Sequence, residues 1–194
     1  HVVVEGGRAV GIEIEDDAGQ TRRIEAKAGV FLCAGGYAQD AAFRRANQAV
    51  DGRMSSASPD DTGDVIKLAP ELGAATALLD EAWWGPSVLY PGNVPGFTLW
   101  ERSMPGSLIV DRHGRRFANE AQSYDAFGRE MLRLGVDEAW MIIDARHRRR
   151  YVFGGMRPGA TPEAMIASGF FQRADTIEDL AVRCGLDPAA LRET

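Results

Sequence analysis

Apolar and polar residues alternate at the start of the chain. Val2-Val3-Val4 leads to Glu5-Gly6-Gly7-Arg8. Val10, Ile12 and Ile14 then recur at every second position, an Asp16-Asp17-Ala18-Gly19 break follows, and a last run spans Thr21 to Glu25. A period of two, punctuated by Gly and Asp turns, predicts an antiparallel meander. The alternation stops at Gly29-Val30-Phe31-Leu32-Cys33-Ala34. This run is apolar on both faces, which predicts a strand buried on both sides as in a layered α/β sheet. It ends in Gly35-Gly36.

Helical spacing appears next. A short helix is predicted over 39–47 and a Ser-, Gly- and Met-rich loop over 51–59. Asp60-Asp61-Thr62-Gly63-Asp64 then opens a helix with Val65, Leu68 and Leu72 on one face and Gly73 as its stop. Pro70 predicts a kink or an early end. Residues 80 to 106 lose all periodicity and carry three of the four tryptophans and four of the nine prolines. Such rigid aromatic loops line pockets or plug the gap between two domains, and composition leaves both readings open. Ser107 to Val110 reads as a strand, Asp111-Arg112-His113-Gly114 as a hairpin turn and Arg115 to Ala118 as the return strand. A helix is predicted over 122–134, with Tyr124, Phe127, Met131 and Leu134 on one face, and a short strand over 140–143. Thr161-Pro162 and Asp187-Pro188 each set an N-cap before a first-turn proline. Thr176-Ile177-Glu178-Asp179 is a variant capping box.

Composition narrows the partners. The chain has 194 residues, 45% hydrophobic and 26% charged, enough for one large domain or two small ones. A net charge of −6 argues against a nucleic acid or an anionic membrane surface as partner. The basic run Arg146-His147-Arg148-Arg149-Arg150 reads as a solvated face or turn. Cys33 and Cys184 form no CxxC and no Cys/His cluster has metal-ligand spacing, so no metal site is expected. Two lone cysteines suit a reducing, cytoplasmic setting. No apolar run approaches the roughly 18 residues of a membrane span. The chain opens on His1 and "VVV" with no charged leader and reads as part of something longer.

Candidate chemistry is sparse. His1, His113 and His147 neighbour no G-x-S-x-G turn, so a Ser-His-Asp hydrolase is poorly supported. Asp60, Asp61 and Asp64 sit at a helix start, where carboxylates are first of all caps. "GGRAVG" has the wrong spacing for a dinucleotide fingerprint and leads into a strand. Two stretches have a logic that suits a cofactor. In "FLCAGGY" a strand runs into a double glycine, which lets backbone approach a ligand where any Cβ would clash; a plain tight turn explains it as well. In "DDTGDVI" a Gly-containing turn opens a helix whose free N–H groups suit a phosphate or ring carbonyl, or are simply a capped start.

Taken in order, "AGVFLCAGGYAQD", "DDTGDVIKLAPELGA", "LLDEAWWGPS", "ERSMPGSLIVDRHGRRFANEAQSYD" and "ADTIEDLAVRCGLDPAALRET" resemble the fumarate reductase/3-ketosteroid dehydrogenase family of FAD-dependent oxidoreductases. "DEAWW" and "NEAQSYD" bring it nearest the 3-ketosteroid Δ1-dehydrogenase-like branch. The resemblance implies an α+β arrangement. Residues 1–81 would be part of a flavin-binding α/β domain, a β-meander plus the buried strand. Residues 82–194 would be the capping, or substrate, domain of the succinate dehydrogenase/fumarate reductase flavoprotein type. It implies FAD as cofactor, approached by Ala34, Gly35 and Gly36 and by Thr62, Gly63 and Asp64; Val65 stands where the family usually has Gly. The family's GxGxxG loop and its Gly-rich closing segment are not in this sequence. The isolated chain is therefore expected to bind FAD weakly or not at all, and to cover exposed sheet edges by self-association.

The resemblance also implies a reaction. A proton leaves the carbon next to a ketone and a hydride passes from the adjacent carbon to flavin N5. Tyr124 matches the position of the proton base in the ketosteroid dehydrogenases and of a proton-delivering arginine in fumarate reductases. Trp83, Trp84, Trp100, Ser103, Asn119 and Glu120 fall where substrate-side residues are expected, with Trp100 and Ser103 replacing charged residues of the fumarate enzymes. An apolar, steroid-like ketone is the implied substrate. A reductase of a fumarate-like enoate or dicarboxylate, with Arg102, Arg115 or Arg116 lining the pocket, is the first alternative. An excised, non-catalytic domain is the second.

Overall fold

The computed structural model describes residues 1–48, 50 and 55–194. The predicted meander is present. Strands β1 (Val2–Glu5), β2 (Arg8–Glu15) and β3 (Thr21–Glu25) form an antiparallel sheet in the order β1-β2-β3. Gly6 and Gly7, at φ +57° and +77°, make the first turn with no Cβ penalty.

The strand expected over 29–34 does not form. The segment is irregular, and Phe31 is 96% exposed, with Leu32 and Cys33 also exposed. A strand buried on both faces needs a hydrogen-bonding neighbour to hold it extended and layers to cover it. Among the described residues no strand pairs with this one. The apolar pattern is that of a central strand, but this chain supplies it with no sheet.

Two short helices follow. Helix α1 (Ala41–Asn47) starts at Asp40, whose carboxylate accepts from the Phe43 N–H at 2.8 Å. Helix α2 (Asp64–Glu71) ends one residue after Pro70, and Gly73, at φ +82°, follows its end as predicted. The loop read over 51–59 lies partly outside the described residues, at 51–54.

The aromatic stretch holds a hairpin that its Gly and Pro content concealed. Strands β4 (Ser87–Tyr90) and β5 (Val94–Phe97) pair antiparallel around a turn with Gly92 and Asn93 at positive φ. Strand β6 (Ser107–Val110) was expected to pair with a return strand over 115–118. That hairpin is reduced to a single bridge, Val110 to Arg116. The partner of β6 is β7 (Trp140–Ile143), in antiparallel register from Ser107 opposite Ile143 to Val110 opposite Trp140. After the turn the chain leaves the sheet, and Arg116 and Glu120 form an ion pair at 2.7 Å across residues 116–120.

Helix α3 (Tyr124–Leu134) is capped by Ser123 and closed by Gly135 in the left-handed region. The basic run forms helix α4 (Ala145–Arg150), only partly a solvated face. His147 is fully buried with Nε2 2.9 Å from the Glu101 carbonyl, and Arg148 reaches Thr161 Oγ1 at 3.0 Å and the Arg157 carbonyl at 2.9 Å. Thr161 is thereby occupied and does not cap α5 (Glu163–Ala167), which begins after Pro162 without a side-chain cap. Helix α6 (Ile177–Cys184) and helix α7 (Pro188–Glu193) start as read, from Thr176 and Asp187.

The β6–β7 pair packs on α6 and α7. Val110, Ile142, Ala181, Leu186 and Leu191 form this core, flanked by Leu108, Trp140 and Leu180. Each fully buried aliphatic side chain is worth roughly 1.5–3 kcal/mol relative to exposure. This core fixes the base on which β6 presents the 111–124 segment.

Candidate active site

Tyr124 is the first residue of α3, and its position follows from the cap. Ser123 stands outside the helix and its Oγ accepts from the Ala126 N–H at 3.2 Å. The Tyr124 ring meets Phe97 edge to face, with centroids 5.3 Å apart and planes at 78°, a favoured aromatic geometry. Phe97 closes β5, inside the stretch that carried no periodic signal. The clue to it is glycine: a Cβ on Gly85 would lie 2.2 Å from the Phe97 ring.

The tryptophan segment is pinned to the same helix. The Trp84 N–H donates to Asp125 Oδ1 at 3.3 Å. One turn further on, Gly128 is buried against the backbone of Trp84 and Gly85, where a Cβ would sit 2.7–2.8 Å from Gly85 N and Trp84 C. Residues 84–85, Phe97 and α3 are therefore one packed unit. Trp84 is half-buried in it, while Trp83 and Trp100 project, 90% and 69% exposed.

The other substrate-side candidates are distributed differently. Ser103 is exposed, its hydroxyl donating to the Trp100 carbonyl at 3.0 Å. Asn119 is exposed and its Oδ1 accepts from the Ala121 N–H at 3.0 Å, which shapes the turn. Glu120 is only 4% exposed, and its carboxylate takes the Ile109 N–H at 2.9 Å and a forked contact from Arg116. Burial by itself would raise this carboxyl, but the bonds from Arg116 and from the Ile109 N–H outweigh it and hold Glu120 below its ordinary value. Its job is to tie the turn to β6.

None of the three arginines that would bind a dicarboxylate is held in reserve. Arg102 is 3% exposed and donates to the backbone carbonyls of Thr98, Glu120 and Gln122. Arg116 belongs to Glu120, and Arg115 lies 3.8 Å from Glu193 on α7.

The glycine loops do come together. The Gly63 N–H donates to the Gly36 carbonyl at 2.9 Å, the Gly36 N–H to Asp61 Oδ1 at 3.3 Å, and the Gln39 N–H to the Asp61 carbonyl at 2.9 Å. Gly35 and Gly63 have positive φ, and a Cβ on either would clash, with Asp61 Oδ1 at 2.2 Å or Tyr37 Cβ at 2.7 Å. Two of the three glycines thus let the loops approach each other. Gly36 meets nothing on its open side. Helix α2 begins at Gly63 with no side-chain cap, Thr62 and Asp64 are exposed beside it, and Lys67 folds back to the Thr62 carbonyl at 2.7 Å. Ala34 lies exposed at the loop's edge.

A line of polar contacts joins the two regions. The Tyr37 hydroxyl donates to the Leu79 carbonyl. Gln48 donates to that hydroxyl at 3.0 Å and to the Glu81 carbonyl at 3.1 Å. The Glu81 carboxylate holds Arg129 at 2.6 Å, and Arg129 holds Asp125, the partner of Trp84. Burial, with a smaller contribution from Asp80, raises the Tyr37 phenol above its ordinary value despite Arg44 and Gln48. The open cavity between α5 and α6, about 740 Å³ and lined by Glu163, Arg173, Asp179 and Arg183, involves none of these residues.

Residues 1–194 match the family described as FAD binding domain. A 3-oxosteroid 1-dehydrogenase of Mycolicibacterium smegmatis is 38% identical over 94% of this chain and 35% of its own. The solved 3-ketosteroid Δ1-dehydrogenase of Sterolibacterium denitrificans, in complex with 1,4-androstadiene-3,17-dione, superposes with a TM-score of 0.87 at 33% identity, covering 99% of this chain and 37% of that one. A flavocytochrome c3 fumarate reductase shares the fold, with a TM-score of 0.60 at 23% identity over 99% of this chain and 32% of that one. The chain spans about a third of the length of the curated relatives it matches. The mixed helix-and-strand architecture is that of FAD-binding flavoproteins. The match runs unbroken across residue 81 and marks no separate capping domain.

Proposed function

We propose, because this chain belongs to the FAD binding domain family, that it is part of a flavoprotein that introduces a C=C bond next to the ketone of a steroid-like substrate. The observation that carries the reading is the fate of Arg102, Arg115 and Arg116. Arg102 and Arg116 are engaged by carbonyls or a carboxylate of the chain itself and exposed Arg115 lies toward Glu193, while Trp84, Phe97 and Tyr124 pack together at the start of α3. A dicarboxylate would need free cations there, and a steroid ketone needs apolar wall.

The residues present fit one side of a flavin. Gly36 is open on its side-chain face, and the first N–H groups of α2 have no side-chain cap, an arrangement suited to an electronegative group. Ala34, Gly35, Gly36, Thr62, Gly63 and Asp64 would hold it. Bound FAD would supply the hydride acceptor.

The remaining chemistry falls to this chain. The phenolate oxygen of Tyr124 takes the proton from the carbon next to the ketone and becomes the phenol; among the described residues that oxygen has no hydrogen-bond partner to displace. Phe97 fixes the ring. Trp83, Trp84 and Trp100 exclude water from the substrate's apolar body, Ser103 adds a small polar edge, and Asn119 and Glu120 shape the turn that delivers Tyr124. Residues 1–81 would act as the flavin side and 82–194 as the substrate side; among the described residues no sheet is shared between them. The exposed segment 29–34 and the free edges of β1 and β3 are surfaces that self-association would cover in the isolated chain.

Anaerobic titration of the intact flavoprotein tests the reading. A 3-ketosteroid is expected to bleach the bound flavin, and fumarate to leave the reduced flavin unoxidised. No bleaching by any 3-ketosteroid would overturn it.

A further inference from the structure

One buried charge counts above only as a cation that is not free, and has no task of its own there. Arg102 sits in a single helical turn, residues 101–103, with its guanidinium 3% exposed over the Phe127 ring at 5.7 Å. Its donors go to backbone carbonyls from two separate stretches. Nε donates to Thr98, the residue after Phe97, at 3.1 Å. Nη1 donates to Gln122 at 2.8 Å and also to Glu120. Glu120 and Gln122 lie in the turn that ends at the Ser123 cap and Tyr124.

A buried guanidinium is costly unless its donors are satisfied, and a planar group with fixed N–H directions holds its acceptors at fixed separations. The turn of Arg102 is itself tethered: Gly154 N–H donates to Glu101 Oε1 at 3.0 Å, and His147 Nε2 lies 2.9 Å from the Glu101 carbonyl. The anchor is therefore itself held from two other parts of the chain.

We propose that Arg102 is a positioning residue for proton transfer. It binds the carbonyls just before α3 and the carbonyl just after Phe97 to one group, and so sets the Tyr124 oxygen relative to the aromatic wall. This rests on the reading of Tyr124 as the proton acceptor. An error of about 1 Å in such a group costs on the order of 100-fold in rate.

A double-mutant cycle in the intact flavoprotein tests it. Arg102→Met is expected to lower kcat with a 3-ketosteroid at least 10-fold while KM changes less than about 3-fold and flavin content is retained. Arg102→Lys, which reaches fewer of the carbonyls, is expected to restore an intermediate kcat. In a Tyr124→Phe background, Arg102→Met is expected to lower kcat no further than about 2-fold, because its effect runs through the missing oxygen. Losses that multiply, or a single variant with unchanged kcat, overturn the positioning role. Should Arg102→Met shed its flavin, the Arg102→Lys arm of the same cycle decides. Unaltered turnover in Tyr124→Phe alone overturns the proton-acceptor reading, and is distinguishable from a failure at Arg102.

Discussion

Tyr124 and Glu120 lie four residues apart and do opposite work. Among the described residues the Tyr124 hydroxyl has no hydrogen-bond partner and its ring packs on Phe97, whereas Glu120 is buried with both carboxylate oxygens engaged. A carboxyl whose folded value is depressed adds stability above its unfolded pKa, about 4.3 for glutamate, and loses it as pH falls through the lower folded value. Acid unfolding below about pH 4.3 should therefore carry a Glu120 contribution. Glu120→Gln is expected to cost about 1–3 kcal/mol at neutral pH and to flatten that acid limb, read by thermal unfolding across pH. An unchanged acid limb would contradict the assignment. Nothing in the sequence separates the two roles, since both residues sit in one polar run; the difference arises from β6, which places the Ile109 N–H over the carboxylate.

Between elements, the tightest contact is α3 against residues 84–85. Alanine is a better helix former than glycine by about 1 kcal/mol, so Gly128→Ala should stabilise an isolated α3. Here the added Cβ would meet backbone at 2.7–2.8 Å, and backbone cannot swing aside. The clash is expected to prevail, with a net loss of about 1–3 kcal/mol and a lower Tm; a raised Tm would show that 84–85 yields. The elements most legible in the sequence were those decided locally. The meander, the face of α3 (though not its Ser123 cap, since the helix was expected from 122), and the Asp187-Pro188 start follow from period and cap chemistry. Three misreadings share a cause in partners distant along the chain. Segment 29–34 has no strand neighbour among the described residues, β6 pairs with β7 rather than its own hairpin return, and Thr161 serves Arg148 instead of α5. The β4–β5 hairpin was hidden because Pro95 and Gly96 are poor strand formers that an edge pair tolerates.

At the scale of the molecule, the chain brings Tyr124, Phe97 and residues 84–85 together and, as proposed, would supply the flavin side in part. The loops at 34–36 and 61–64 meet, and the contacts from Tyr37 through Glu81 and Arg129 to Asp125 tie them to α3. Apolar Phe31 and Leu32 nonetheless face solvent, and the chain spans about a third of its relatives. Purified alone, it is expected to be colourless; a yellow preparation with visible flavin absorbance would contradict this.

The proposed base is the phenolate oxygen of Tyr124, which would take the substrate proton and become the phenol. The direct measurement is the anaerobic rate of flavin bleaching by a 3-ketosteroid in the intact flavoprotein, wild type against Tyr124→Phe. Loss of a general base costs typically 10²–10⁴-fold, and a fall of at least about 100-fold, with flavin content and steroid affinity preserved, is predicted. Bleaching at the wild-type rate would contradict the claim.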